Sequence, residues 1–383
     1  MEKSIFKKIK NYWQEIALGI STIAYNAYFI YASFLRYDNY YAGKFDLGNM
    51  AQTVWNTVHG NIFMLTDPNA TREVSRLAFH SDFILILLSP FYLIWEDPRM
   101  LLVIQTLVLS LGGIFVYKIS NHVLKNKNLS LVFALGYFIS PAVNFTNLYD
   151  FHSVTLATTF FLGAFYFIFK KKYGAMLLFL VLAAITKEQV WVITGLTGAY
   201  LFFAHKKRLL GASIFLISFF IFYILIWYLM PQSLGKEHFA VSYYSDFGDS
   251  PLKIIGNIFL SPLKTLQTLL LPDRLLFIKQ IFLPLGYLSF FAPLFLIFAG
   301  PDLAIDLLSA NPPLHQIYYQ YSATITPFVF ISAILGVKFI RSKIPQIPYN
   351  AFSLILILLT LISAYDFGPL PFAKRPRLVS SPG

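Results

Sequence analysis

Phe45-Asp46-Leu47-Gly48 lies at the centre of a loop, residues 36–82, in which a hydrophobic chain suddenly places Arg36, Asp38, Lys44, Asp46, His80 and Asp82 between two apolar stretches. From Leu47 onward, Leu47, Met50, Ala51, Val54 and Val58 recur at helical spacing, while Asn49, Gln52, Thr53, Asn56 and His59 fill the opposite face. Gly60 ends the pattern. The expectation is an amphipathic helix lying flat at a membrane surface, with Asp46 at its N-terminal end. Asp46 then reads either as a helix cap or as part of a functional cluster, because a cap leaves the crowding of other ionisable groups in one short loop unexplained.

The whole chain carries the same signal. Of 383 residues, 57% are hydrophobic and 13% charged, and the mean hydropathy is +0.63, too apolar for an ordinary soluble globule. A polytopic membrane protein follows. The 40 Phe and 24 Tyr suit lipid-facing and interfacial positions. With no Cys, disulfides, thiolate metal sites and a Cys nucleophile are excluded, which leaves carboxylates, His, Lys, Arg and Tyr for any chemistry. The net charge of +12 sits in short loops between apolar runs, so it reads as membrane topology and not as nucleic-acid binding.

Lys3, Lys7, Lys8 and Lys10 precede a first span at 16–35, too long for a cleaved signal and without a small-residue cleavage site. A retained helix with a cytoplasmic N-terminus is expected, which puts the 36–82 loop outside. The 83–95 run is about two-thirds of a span and reads as half-submerged or re-entrant on the outer side. Residues 100–119 then cross inward to Lys118, Lys125 and Lys127. Further spans are expected at 129–144, 154–169, 209–230, 318–339 and 349–365, with two passes across 275–308. An apolar pair at 174–185 and 190–203 is split by Thr186-Lys187-Glu188-Gln189. Lysines flank the pair on both sides, so the split faces outward. Residues 231–272 read as a polar outer loop with one short helix at 252–260. The fold class is thus all-α: a transmembrane helical domain over 1–371 with about eleven helices, followed by a disordered basic tail at 372–383.

Apart from the basic anchors, Asp46, His80, Asp82, Asp150, His152, Lys187, Glu188, His238 and His315 map to one face of this topology. Ionisable groups at a bilayer are costly and mark sites or pathways. A pump or channel would spread them through the membrane depth, whereas gathering at one mouth points to a site at the outer interface. Structural readings compete: a local ion pair for Lys187 and Glu188, and caps of the helix near Val154 for Asp150 and His152. His80 and Asp82 lack the spacing of a helical metal pair. A Walker A motif, a Gly-rich dinucleotide fingerprint and H-E-x-x-H are all missing from the sequence, which argues against ATP hydrolysis and zinc proteolysis.

Phe45-Asp46-Leu47-Gly48, Trp55-Asn56-Thr57-Val58-His59-Gly60, Phe79-His80-Ser81-Asp82, Tyr149-Asp150-Phe151-His152, Thr186-Lys187-Glu188 and Tyr319-Gln320-Tyr321-Ser322-Ala323 together resemble the DUF2079 family of predicted prokaryotic membrane proteins. The matching stretches span 36–339. The family's architecture looks like that of GT-C glycosyltransferases, multi-pass enzymes that use a polyprenyl-phosphate-linked sugar on the outer face and carry an acidic residue in the first outer loop. On that resemblance Asp46 is the matching position and the general base. Family members often continue past the last helix, so a chain ending at Gly383 is expected to be a shortened member.

The resemblance implies further roles. Arg36, Lys44 and Lys187 are candidates for the lipid phosphate; His80, Asp82, Asp150, His152, Glu188, His315 and Tyr321 are candidates for the sugar or acceptor pocket. Such a carboxylate and His set can also hold a divalent metal, although nothing in the spacing indicates one. Expected partners are membrane lipid, the lipid-linked donor and a glycan, lipid or protein acceptor, at a prokaryotic plasma membrane. The alternatives are a lipid or glycan transporter using the same polar mouth, and a scaffold whose outer loop binds a partner. Few polar residues lie below the outer third of the spans, which favours the enzyme.

Overall fold

The computed structural model describes residues 2–67, 71–234 and 239–374, apart from the side chains of 2–11, 44, 234, 239–241 and 251. His238 and residues 375–383 of the tail lie outside the described residues. The chain is helical almost throughout: α1 (Glu2–Asp38), α2 (Asn49–Val58), α3 (Ile84–Leu88), α4 (Arg99–Leu124), α5 (Lys127–Phe138), α6 (Pro141–Leu148), α7 (Thr155–Phe169), α8 (Tyr173–Ala184), α9 (Val190–Phe203), α10 (Arg208–Ile224), α11 (Met230–Leu234), α12 (Pro251–Leu260), α13 (Pro262–Leu269), α14 (Pro272–Phe282), α15 (Gly300–Leu308), α16 (Thr326–Lys343) and α17 (Tyr349–Phe367). One antiparallel hairpin, β1 (Met64–Thr66) with β2 (Glu73–Ser75), is the sheet among the described residues.

Four stretches are long and apolar enough to cross a membrane: residues 12–38 of α1, α4, the continuous run from α10 into α11, and α17. The α5–α6 pair, bent by 42° at its break, makes a fifth if it is one span. Helix length therefore supports four to five crossings where the apolar runs suggested about eleven. At 1.5 Å per residue the 15-residue α7 reaches only about 22 Å, short of a hydrocarbon core of about 30 Å. The apolar 275–308 stretch does not form two long helices. Pro284, Gly286, Pro293 and Pro301 divide it into α14, a series of 3₁₀ turns and α15, because proline removes a helical donor and clashes with the preceding turn.

α1 and α4 run antiparallel. At one end Glu15 pairs with Lys127 at 2.7 Å and Gln14 bonds Asn128 at 2.7 Å; at the other Arg99 reaches Asp38 at 3.4 Å. The main core joins α1, α4, α5, α7, α9 and α16. α9 and α10 approach backbone to backbone at Gly198 and Gly211, where an added Cβ would lie 2.7 Å and 2.6 Å from the opposing glycine carbonyl. Close approach of this kind requires residues without side chains.

A second core, at the Asp38 end, contains Leu47, Met50, Val54, Ile84, Leu85 and Leu101. α2 is helical as its periodicity predicts, but its apolar face is buried against α3 and α4, not left free for a membrane surface. Its polar face is partly buried too: Thr53 bonds Asn49 O and Asn56 donates to Met64 O, so the β-hairpin covers it. This second core holds the loop residues as a fixed wall over the helical bundle.

Candidate functional site

Asp46 occupies a π-helical turn, Lys44–Gly48, that runs into α2. It is not the cap of that helix, which begins at Gly48 without a side-chain bond. Its carboxylate is engaged across the chain instead: Oδ2 accepts from the Tyr149 hydroxyl at 3.0 Å, and Oδ1 lies 3.1 Å from His152 Nε2. The Tyr149 and His152 rings stack with centroids 5.3 Å apart.

Both rings sit on the link between α6 and α7, and Gln105 of α4 shapes that link. Its Nε2 donates to Asn147 O and Asp150 O, at 3.1 and 2.9 Å, while its Oε1 accepts from the His152 N–H and the Thr155 hydroxyl, at 3.0 and 2.8 Å. A fully buried amide with four such bonds sets a backbone path that sequence does not reveal. Asp150, at φ +32°, accepts from Gly43 N–H at 2.6 Å and so ties the link to the Asp46 turn. It does not cap α7, which carries no side-chain cap.

The two neighbouring carboxylates are pushed apart in acidity. Burial alone would raise Asp46, but the hydrogen bond and charge of His152 and the Tyr149 hydroxyl hold it below the usual carboxylate range. Burial raises Asp150, and the Asp46 charge adds to it against the Gly43 N–H. Burial and the Asp46 charge also push the Tyr149 phenol well up, which keeps it a donor.

The next two segments lock to one another. Arg76 and Asp82, each with only 3% of its side chain exposed, form a bidentate pair at 2.9 and 3.0 Å. Glu188, in the break between α8 and α9, faces His80 Nδ1 at 2.9 Å and accepts from Ser81 N–H at 3.0 Å. The local Lys187–Glu188 ion pair that the sequence allows is therefore replaced by a long-range bond from the helix break to the first loop. Burial opposes ionisation of Glu188, but His80, the Lys187 charge and the Ser81 N–H hold its pKa well below the ordinary value. Lys187 makes no hydrogen bond or ion pair among the described residues and turns to a cavity.

That cavity has a volume of about 940 Å³. Asp46, His80, Asp82, His152, Lys187, Glu188 and Tyr321 all line it, as the sequence grouped them. Arg36 and Asp150 are buried and do not line it, and Arg36 sits over the Tyr41 ring at 5.9 Å. His315 stands apart, held by Arg274 at 2.9 Å and Asp273 at 3.1 Å. The side chain of Lys44 lies outside the described residues. Phe222, Ile226, Ile254, Ile255 and Ile258 add an apolar part to the lining.

Sequence reasoning missed Gln105, Arg76, Asp302 and Asp306, and gave no role to Tyr149 and Gln320 although both lie in the stretches that carry the resemblance. Arg76, in the 36–82 loop, carries no spacing or periodicity that marks it out from the sequence. Asp302 and Asp306 were legible as two carboxylates four residues apart in an apolar run, a costly placement. Both line the cavity; Asp302 accepts from the Thr324 hydroxyl. Burial raises both, and Asp302 raises Asp306 further. Among the described residues, no three His, Asp or Glu side chains converge as metal ligands.

No curated protein matches the chain. The model of a family described as predicted membrane protein (DUF2079) matches residues 36–377, and the chain belongs to that family.

Proposed function

We propose that the protein is a membrane glycosyltransferase of GT-C type, a single unit over 1–371 that moves a sugar from a polyprenyl-phosphate carrier to a glycan, lipid or protein acceptor at the outer face of a prokaryotic plasma membrane. Asp46 is the general base. The observation that carries this reading is its position: a partly exposed carboxylate, 32% accessible, in the wall of a large cavity and oriented by Tyr149 and His152. Transfer to a hydroxyl needs a group in hydrogen-bond reach of the acceptor proton, already deprotonated and held in place.

The two faces of the cavity suit the two parts of the donor. The isoleucine and phenylalanine residues of α10, the turn after it and α12 accommodate a prenyl chain, and Lys187, which forms no ion pair among the described residues, is the cation for the departing phosphate. Arg76 is engaged by Asp82, and Arg36 is buried and does not line the cavity, so neither takes that part directly. Asp82 and Glu188 act as anchors for the wall, not as substrate ligands.

Mass spectrometry of lipid-linked and surface glycans from cells with wild-type protein, with Asp46→Asn and without the gene tests the reading. The expected result is a glycan product that vanishes both without the gene and in Asp46→Asn, while the variant accumulates in the membrane at the wild-type level. A product unchanged by Asp46→Asn overturns the role of the carboxylate, and glycans indifferent to the gene overturn the activity.

A further inference from the structure

The part of the cavity lining formed around α15 is built differently from the part around Asp46. There, α15 presents Asp302 and Asp306, only 4% and 2% exposed, and the later 3₁₀ turn Gln320–Ala323 presents Gln320, 7% exposed. Three of their acceptor oxygens, Asp302 Oδ1, Asp306 Oδ2 and Gln320 Oε1, have no hydrogen-bond partner among the described residues. Buried acceptors are normally satisfied, because each one left bare costs the hydration it has lost.

The charges are also out of balance. Around Asp46 each carboxylate is held by a basic side chain: Asp82 by the Arg76 guanidinium, and Asp46 and Glu188 by the imidazoles of His152 and His80, which add a positive charge only when protonated. Around α15, Lys187 is the one cation of the described residues whose charge acts on both Asp302 and Asp306, and it acts on Glu188 as well. Two carboxylates facing one ammonium leave the pocket short of a positive charge, and a buried carboxylate without a counter-charge gives up its ionisation or acquires a cation.

We infer that Asp302, Asp306 and Gln320 form a subsite for a primary ammonium group on the ligand that enters this cavity. The chemistry is a matched set: an ammonium has three N–H donors and no acceptor, and the subsite offers acceptor oxygens and missing positive charge. A neutral hydroxyl would satisfy an oxygen without supplying the charge. Two sources carry such a group, an amino sugar and an ethanolamine headgroup. The inference stands whether or not the protein transfers sugar.

Thermal unfolding of the full-length protein in detergent, titrated with defined probes, separates the outcomes. Glucosamine and lysophosphatidylethanolamine are the ammonium probes; glucose, N-acetylglucosamine and lysophosphatidylcholine are their controls. The expected result is a midpoint raised by one ammonium probe and not by its control, with glucosamine identifying an amino-sugar source and the lysolipid a headgroup source. In Asp306→Asn and Asp302→Asn the apparent affinity should fall at least about tenfold. Comparing each variant with and without probe cancels any change in its own stability, and Phe91→Ala, at an exposed position away from the cavity, serves as a further control. No ammonium-specific shift, a shift that survives both Asp variants, or an equal shift from Mg²⁺ or Ca²⁺ alone that the same variants abolish, would each overturn the inference.

Discussion

Asp46 and His152, 106 residues apart in the chain, meet at 3.1 Å between Oδ1 and Nε2. The contact places a carboxylate of the first loop on a ring of the α6–α7 link, and it accounts in part for the low pKa of Asp46.

The His152 contact predicts a shift in pH dependence. Because Asp46 is held below the usual carboxylate range, it remains ionised above that range and loses its charge only as pH falls through its depressed pKa. Replacing His152 by Leu removes a donor and raises that pKa, so the acid limb of the pH–rate profile should move to higher pH. The rate at neutral pH should drop roughly 10- to 100-fold through lost orientation. An unmoved acid limb would separate His152 from the acidity of Asp46.

Gln105 acts at one remove, through the backbone it holds. Gln105→Leu leaves Asn147 O, Asp150 O and His152 N–H without their partner and should destabilise the protein by about 2–4 kcal/mol. Gln105→Glu keeps two acceptor bonds but loses the donors. Unfolding midpoints of the two variants in one detergent should rank wild type above both.

Arg76 and Asp82 form a pair in which removing one member is worse than removing both. Arg76→Met strands a carboxylate with 3% exposure and should cost about 3–5 kcal/mol. Arg76→Met with Asp82→Leu should recover most of that. Chemical denaturation of the two variants reads the difference directly, and equal losses would mean that the partner charge is satisfied elsewhere.

Glu188 predicts an acid sensitivity. A carboxylate whose folded pKa is depressed contributes stability above its unfolded pKa and loses it as pH falls through the folded value. Wild type should therefore lose stability below about pH 4.3. Glu188→Gln should be less stable at pH 7 and show a shallower decline in acid. Unfolding midpoints measured from pH 7 to 3 would expose parallel curves if Glu188 contributed nothing.

Topology can be read without background, since the sequence has no Cys. Asn61, exposed beyond α2, reports on the first loop. Cysteines at Asn61 and Ser242 should react with an impermeant maleimide added to intact cells, and cysteines at Asn128 and Ser342 only after permeabilisation. The reverse pattern would place the cavity on the cytoplasmic side.

The sequence alone determined where this chain breaks and which residues crowd the breaks. Hydrophobic run length, Pro98 and the polar Thr186-Lys187-Glu188-Gln189 interruption predict limits that the structure places within a few residues for α4, α7, α8, α9, α12 and α17, whereas the 129–144 run breaks at Pro141 and the 318–339 run becomes helical only from Thr326. These signals are local, and so is the cost that keeps charge out of apolar runs. The 275–308 stretch escaped because composition dominates a run-length reading, while its prolines acted one turn at a time.

Only the tertiary structure decided who pairs with whom. Asp46 took Tyr149 and His152 instead of capping α2, Glu188 reached back to His80 instead of its neighbour Lys187, and α2 turned its apolar face inward. Each outcome depends on how α4, α6 and the α8–α9 break pack against the first loop. Two side chains a hundred residues apart meet or miss by a few ångströms of helix placement, and neither period nor composition carries that information.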